Sequence, residues 1–361
     1  MTTLFVTGGA GFIGTNFIRY WLSKYRNDRL INYDLLTYAG NLENLRDVEK
    51  AHRSRYKFVK GDLANQQLLN HIFAETKPDF VVNFAAESHN SRAVVDPGVF
   101  FRTNVLGTQS LLEAARSAGV PRVHHVSTCE VYGDLPLDSD ESFSETSPYR
   151  PRTPYNASKA CADLVVRAYA DTFKLPVTIS NCANNFGPYQ FPEKVIPYFT
   201  IKGLNGEQMP LYESTDQKSA GQKRADHKRE WLHVTDHCRA IELILSKGKV
   251  GETYNVGSGV ELDIDEIADK IISVLKLDPS CKKYVSPRPQ HDLRYLLDST
   301  KIKTELGWSP SEDTDALLEE TILWYRDNRS WWLPLLDKLT VDEGQWAAAK
   351  TAGADNTRDR R

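Results

Sequence analysis

Three glycines near the start of the chain restrict its fold more than any other feature. "TGGAGFIG" holds Gly8, Gly11 and Gly14 at G-x-x-G-x-x-G spacing, after the apolar run "TTLFVTG" and at the opening of a helical stretch from Phe12 to about Tyr25. Glycine at these points permits a tight turn, close approach of the backbone to a pyrophosphate, and contact between helix and strand. The helix then presents its unpaired first-turn N–H groups to phosphate oxygens. A glycine turn alone is equally compatible with a structural bend. Here it opens a β-α-β pattern, and Asp34 closes the next apolar run, "RLINYD", about twenty residues on, where an acid can hydrogen-bond an adenosine ribose. A carboxylate there disfavours a 2′-phosphate, so the expected cofactor is NAD and not NADP. "GDL", Gly61 to Leu63, follows the third run and suits a loop passing the adenine.

The alternation continues through "YKFVKGD", a helix near Gln66 to Glu75, "DFVVNFAA", a longer helix from about Val99 to Ala118, and "PRVHHVST". Near-continuous Val, Ile and Phe runs of strand length, spaced by helices, predict a parallel sheet covered on both faces. The expected fold is α/β, a Rossmann-type doubly wound sheet with a smaller C-terminal α/β lobe that binds substrate. After Asn181 the loop-rich stretch "NCANNFGPYQFPEKVIP" marks the change of texture. The expected division is 1–183 for the dinucleotide domain with the catalytic residues, 184–335 for the lobe, with some segments returning to the main sheet, and 336–361 for a tail. Further helices are expected from Asp263 or Asp265 to about Leu275, and in "STKIKTELGW" and "DALLEETILWYRDN".

Charge and cysteine usage narrow the partners. A formal net charge of −3 gives no basis for binding nucleic acid or an anionic membrane. No apolar run approaches the roughly eighteen residues of a membrane span, and the N-terminus lacks a basic leader, so a cytoplasmic protein is expected. The five cysteines are scattered without a C-x-x-C pair, which argues against a disulfide framework or a zinc site. His233 and His237 stand four apart in "HVTDH", but with Asp236 they read as a helix start, so no metal is expected. His124 and His125 read as structural.

Two segments carry chemistry. "PYNASKACADLVVRAY" sets Tyr155 and Lys159 four apart at the start of a helix, so both face one way. A phenol titrates near 10 and is a weak base at neutral pH, and a neighbouring ammonium is expected to lower it. "VSTCEVYGD", residues 126–134, bunches Thr128, Cys129 and Glu130 at a strand end. Glu130 lies two residues beyond Thr128, so the strand end could turn both toward one pocket. A solvated loop carboxylate is the plain alternative.

With "AAESHNSR", "TNVLGT", "STCEVYGDLP", "SPYRPRTPYNASKA", "NNFGPYQFPEKVIP", "REWLHVTDH", "ETYNVGSG" and "PQHDLRYLLDSTKIKTELGW" in this order, the chain resembles the extended short-chain dehydrogenase/reductases, and within them the dTDP-glucose 4,6-dehydratase family. The resemblance covers about residues 1 to 335. It implies an NDP-sugar dehydratase in which bound NAD oxidises carbon 4, water is eliminated across carbons 5 and 6, and hydride returns to carbon 6. By position, Tyr155 is the base for the 4-hydroxyl, Lys159 assists it and binds the nicotinamide ribose, Thr128 bonds the 4-oxygen, and Glu130 is the carbon-5 base. Cys129 occupies the place of the acid that protonates the leaving hydroxyl. Besides Gly8, Gly11, Gly14, Asp34, Asp62, Leu63, Tyr155 and Lys159, the implied NAD contacts are Phe12, Ile13, Thr37, Ala85, Ala86 and Thr103. The implied substrate contacts are Ser88, Asn90, Arg92, Asn184, Lys194, Val195, Tyr212, Arg229 as diphosphate clamp, Asn255 and His291, the last two equally readable as satisfying buried backbone groups. The family's subunits pair through two long helices, so a homodimer is implied.

Three departures stand out. The family has aspartate where this chain has Cys129, usually reads "ESHVDR" where this chain reads "ESHNSR", and is several residues shorter between Tyr212 and Arg229. A thiol is a weaker acid than aspartate by several units and a weak donor. Three readings of Cys129 follow: drift within a working 4,6-dehydratase, a 5,6-dehydratase that returns hydride to carbon 4 and leaves an alkene, or an epimerase or decarboxylase. On the first reading Cys129→Asp is expected to accelerate water loss. A nucleophilic thiol has no histidine placed to activate it. A non-enzymatic NAD sensor or scaffold would be expected to lose the tyrosine–lysine pair.

Overall fold

The computed structural model describes residues 1–214, 224–286 and 292–339. In chain order the elements are β1 (Thr3–Thr7), α1 (Phe12–Lys24), β2 (Arg29–Asp34), α2 (Arg46–Ala51), β3 (Tyr56–Lys60), α3 (Gln66–Thr76), β4 (Phe80–Asn83), α4 (Asn90–Val95), α5 (Pro97–Phe101), α6 (Thr108–Ala118), β5 (Arg122–Thr128), α7 (Pro154–Phe173) and β6 (Val177–Cys182). They continue with β7 (Asn184–Phe186), α8 (Val195–Leu204), β8 (Met209–Tyr212), β9 (Lys228–His233), α9 (Val234–Lys247), β10 (Thr253–Val256), β11 (Glu261–Asp263), α10 (Ile264–Leu275) and β12 (Lys282–Val285). Helices α11 (Thr300–Leu306), α12 (Thr314–Asp327) and α13 (Arg329–Trp332) follow.

Seven strands form the main sheet in the order β10-β6-β5-β4-β1-β2-β3, and every neighbouring pair is parallel. Period-two alternation explains why both faces are covered. Phe5, Ile31, Val81 and Val123 pack on one side with Leu69 and Phe73 of α3, Leu111 of α6 and Val166 of α7. Leu4, Val6, Leu30 and Val82 pack on the other with Phe17 and Trp21 of α1 and Ile241 of α9. Each such large side chain contributes roughly 1.5–3 kcal/mol by leaving water. Strand order reverses between β1 and β4, which opens a crevice at the carboxyl ends of those strands.

The later chain supplies one strand, β10, to the edge of this sheet and builds two small sheets, β11-β9-β7 and β12-β8. Phe186, Phe199, Leu211, Trp231, Ile267, Ile271 and Ile322 form their core. α10 opens with a capping box in which Asp263 and Glu266 exchange bonds with each other's backbone. Among the described residues no helix is long and apolar enough to cross a membrane.

One expected element is interrupted. The helix expected from Val99 to Ala118 contains a π-helical turn at Arg102–Gly107 between α5 and α6. The widened turn places Thr103 on the crevice, while Asn104 is buried and donates to Ser158 Oγ at 2.8 Å. Such bulges recur at functional sites.

A long-range brace reaches the glycine turn from α13. Trp331 Nε1 donates to Asn44 Oδ1 at 2.8 Å, and Asn44 Nδ2 donates to Ala10 O at 3.1 Å.

Candidate active site

The crevice begins at the glycine turn. Gly8 has φ +67°, and a Cβ there would lie 2.6 Å from Ala85 N; a Cβ on Gly14 would lie 2.4 Å from Gly8 O. Both positions therefore exclude side chains, and the turn packs directly on the segment after β4. Gly11 caps α1 without a side chain, so the first-turn amides face outward unfilled by any cap. Asp34 is buried; its carboxylate accepts from Ala10 N at 2.9 Å and Leu36 N at 2.8 Å while lining the crevice. Burial raises its pKa against these two hydrogen bonds. Phe12, Ile13, Thr37, Asp62, Leu63, Ala85, Ala86 and Thr103 line the same crevice. An uncapped helix end, a Cβ-free cradle and a carboxylate at the end of β2 are the chemistry of a dinucleotide site, and these residues would hold NAD.

At the other end of the crevice, β5 and β6 finish side by side, with Thr128 in register with Cys182. A single 3₁₀ turn, Cys129–Val131, follows Thr128, whose Oγ1 accepts from Glu130 N at 3.3 Å. This turn brings Thr128 and Glu130 to one wall. Across from them, Thr153 caps α7 by accepting from Asn156 N, and Pro154 occupies the first turn. Tyr155 and Lys159 then line the crevice from the same face of α7, and Tyr155 hydrogen-bonds Thr128.

Electrostatics here differ from the sequence expectation in one respect. Burial pushes the Tyr155 phenol well up, the Glu130 carboxylate pushes it further, and the Thr128 bond opposes them. Lys159, expected to lower it, instead donates to Val126 O at 2.8 Å and lies 3.4 Å from His125 Nε2. The bond to the strand carbonyl gives the buried ammonium an acceptor. Burial pulls the Lys159 pKa down, and Asp163 opposes this. His125, expected to be structural, thus touches the lysine, with Asp163 Oδ1 3.4 Å from His125 Nε2 and Ser127 donating to Asp163 Oδ2 at 2.8 Å.

A second cavity adjoins the first. Ser88, Asn90, Asn184, Lys194, Val195, Tyr212 and Arg229 line it, and Glu130 lines both cavities. Lys194 Nζ donates to Ser88 O at 3.0 Å. Arg229 also stacks over the Tyr295 ring at 4.7 Å and donates to Lys228 O, Leu293 O and Asp292 O. It therefore braces the segment around Tyr295 in addition to facing the cavity.

Comparison with known proteins gives a consistent answer. The family model described as GDP-mannose 4,6 dehydratase matches residues 5–321. The dTDP-glucose 4,6-dehydratase of Xanthomonas campestris pv. campestris is 44% identical, covering 93% of this chain and 97% of its own. That of Mycobacterium tuberculosis is 45% identical, covering 92% and 96%. The chain belongs to the nucleotide-sugar 4,6-dehydratase family. Among solved structures, the dTDP-glucose 4,6-dehydratase of Streptomyces venezuelae, crystallised with NAD, is 46% identical with a TM-score of 0.86, covering 92% of this chain and 99% of its own. A UDP-glucose 4-epimerase from Thermotoga maritima shares the fold at 26% identity and TM-score 0.80, covering 91% and 99%.

Three of the described residues carried over from the dehydratase family stand apart from the two cavities. Cys129 is 1% exposed, lines neither cavity, and packs with Val131, Tyr132, Ala160, Cys182 and Tyr295. Burial, then Glu130, drives its thiol pKa well up. Arg92 lines neither; its guanidinium lies 3.7 Å from the Tyr38 ring centroid and 3.6 Å from Glu87. Asn255 is fully buried, accepting from Tyr132 OH at 2.8 Å and donating to Phe143 O at 2.8 Å, so it satisfies internal groups. His291 lies outside the described residues, as do 215–223 of the long stretch after Tyr212.

Sequence reasoning passed over three residues of this dehydratase fold. Glu193 lines both cavities and accepts from Tyr38 OH at 2.7 Å; its position beside Lys194 in "FPEKVIP" was the available signal. Tyr295 lines the second cavity and donates to Asp292. Asp163, one turn beyond Lys159, was visible as an acid on an otherwise apolar helical face.

Proposed function

We propose that the chain is an NAD-dependent hydro-lyase, a nucleotide-sugar 4,6-dehydratase acting on dTDP- or UDP-glucose. The observation that carries this reading is the placement of Glu130, which lines both cavities beside Thr128, Tyr155 and Lys159. Exchange of configuration at carbon 4 needs only a base at the 4-hydroxyl. Loss of water needs a further group to take the carbon-5 hydrogen. The sugar would lie at the junction of the cavities, with its nucleotide toward Asn184, Lys194, Val195 and Tyr212. Tyr155 takes the 4-hydroxyl proton, and Thr128 hydrogen-bonds the 4-oxygen. Glu130 removes the hydrogen at carbon 5, made acidic by the adjacent ketone. Bound NAD supplies the acceptance and return of hydride.

The burial of Cys129 favours one second reading. With no thiol facing the cavity, protonation of the leaving hydroxyl falls to Glu130 or water, and hydride return to carbon 4 would leave a 5,6-alkene. Incubation with dTDP-glucose, UDP-glucose and UDP-N-acetylglucosamine, with NMR of the product, separates these readings. A carbon-6 methyl supports the 4,6-dehydratase and an exocyclic methylene the 5,6-dehydratase. Epimerisation without water loss, or indifference to all three substrates, overturns both.

A homodimer is part of the same proposal. Phe101, Leu106 and Leu164 are 39%, 58% and 59% exposed on α5, the π turn and α7, which pack together. Leu164→Glu should convert a dimer to monomers in analytical ultracentrifugation. We also assign the protein to the cytoplasm, a reading supported by its five free cysteines.

A further inference from the structure

A carboxylate that takes a hydrogen from carbon must be held in direction as well as place, because small displacements of a reacting group are costly in rate. In this chain a residue on another element bonds the Glu130 carboxylate directly. Asn90, the first residue of α4, donates from Nδ2 to Glu130 Oε2 at 2.9 Å. Its Oδ1 accepts from Thr153 Oγ1 at 2.7 Å. The amide can be oriented only one way. A carboxylate accepts and cannot donate, so the NH₂ faces Glu130 and the carbonyl faces the hydroxyl.

Thr153 is not an incidental partner. It is the N-cap of α7, and its Oγ1 also accepts from Asn156 N at 3.2 Å. One side chain thus connects the carboxylate at the junction of the cavities to the cap of the helix that carries Tyr155 two residues later. The resemblance given by the sequence motifs implies valine at this position. A valine could make neither bond.

We propose that Asn90 is a positioning residue for Glu130, aligning the carbon-5 base with the helix that carries the carbon-4 base so that both act on one bound sugar. The inference rests on the reading of Glu130 as the elimination base. Without Asn90, removal of the carbon-5 hydrogen slows, while oxidation at carbon 4, which depends on Tyr155 and Thr128, proceeds.

The test is a single turnover of the full chain with its sugar nucleotide, following reduced-nicotinamide absorbance and water loss together. Asn90→Asp keeps the shape but sets an acceptor against the carboxylate, and Asn90→Leu removes both polar ends. Both variants are expected to form reduced nicotinamide at close to the wild-type rate. Its decay and the loss of water should then be about 10- to 100-fold slower. Unchanged water loss in both variants overturns the proposal, as does equal slowing of both phases. If the wild-type protein itself forms no reduced nicotinamide and loses no water with any of the three sugar nucleotides, the proposed function fails instead, and this inference with it.

Discussion

Cys129 and Glu130 are adjacent in the chain yet belong to different surroundings. Glu130 lines both cavities, whereas Cys129 is buried among Val131, Tyr132, Ala160 and Tyr295. The 3₁₀ turn at Cys129–Val131 causes the separation, because it breaks the alternation of β5 just after Thr128. In this structure Cys129 therefore packs in the interior while its neighbour faces the crevice.

Cys129→Ala should leave water loss within a few-fold of wild type and lower stability by about 1 kcal/mol, as expected for removing one buried heavy atom. Cys129→Asp should not accelerate the reaction. It places a second carboxyl beside Glu130 in a buried site and should cost about 3 kcal/mol or more. Steady-state rates and urea denaturation of the two variants check both statements.

Glu130→Gln and Tyr155→Phe should fail at different points. Tyr155→Phe removes the proposed base at carbon 4, so no reduced nicotinamide should form and turnover should fall by about 10²- to 10⁴-fold. Glu130→Gln should lose turnover to a similar extent while reduced nicotinamide forms and persists. Stopped-flow absorbance distinguishes the two.

Gly8→Ala tests the cradle. Its φ of +67° strains any side chain, and its Cβ would lie 2.6 Å from Ala85 N. NAD carried through purification should fall severalfold. Gly119→Ala is the control: φ there is +65° with nothing within 4 Å, so only the strain of about 1–2 kcal/mol should appear, with NAD content unchanged. NAD released on denaturation, per mole of chain, gives the answer.

Two buried histidines make a signed prediction. Burial lowers His237 to about 3; burial and then Lys159 lower His125 to about 4, with Asp163 opposing. Each folded-state pKa lies below the unfolded value of 6.5, so the folded state binds fewer protons between them. Their stabilising contribution is complete above the unfolded value and is lost as pH falls toward the folded one. Relative to His237→Gln, wild type should lose about 1.4 kcal/mol per pH unit between about pH 6 and about pH 4. Urea midpoints of the pair at several pH values measure this, since groups common to both proteins cancel.

The sheet and the tyrosine–lysine pair were legible because they are local. Strand-length apolar runs report their own burial, the glycine spacing reports a turn, and four residues of helix bring Tyr155 and Lys159 to one face. What sequence could not supply were contacts between distant segments. Lys159 meets the Val126 carbonyl and His125 only because α7 crosses the end of β5. Arg229 was read from chemistry as a phosphate clamp, and three of its bonds go to backbone carbonyls that no motif reveals. The burial of Cys129 follows from a short 3₁₀ turn that leaves no signal in hydrophobic pattern, so its place in the motif gives no warning of it.

The brace from Trp331 through Asn44 to the Ala10 carbonyl sets an order of events during synthesis. The glycine turn precedes Trp331 by most of the described chain, so this support is made long after the turn itself. A nascent chain stalled before that point can assemble β1, α1 and β2 but lacks the prop behind the turn. The support of the glycine turn is thus finished from a distant segment, and a chain that stops short of α13 forms the turn without it.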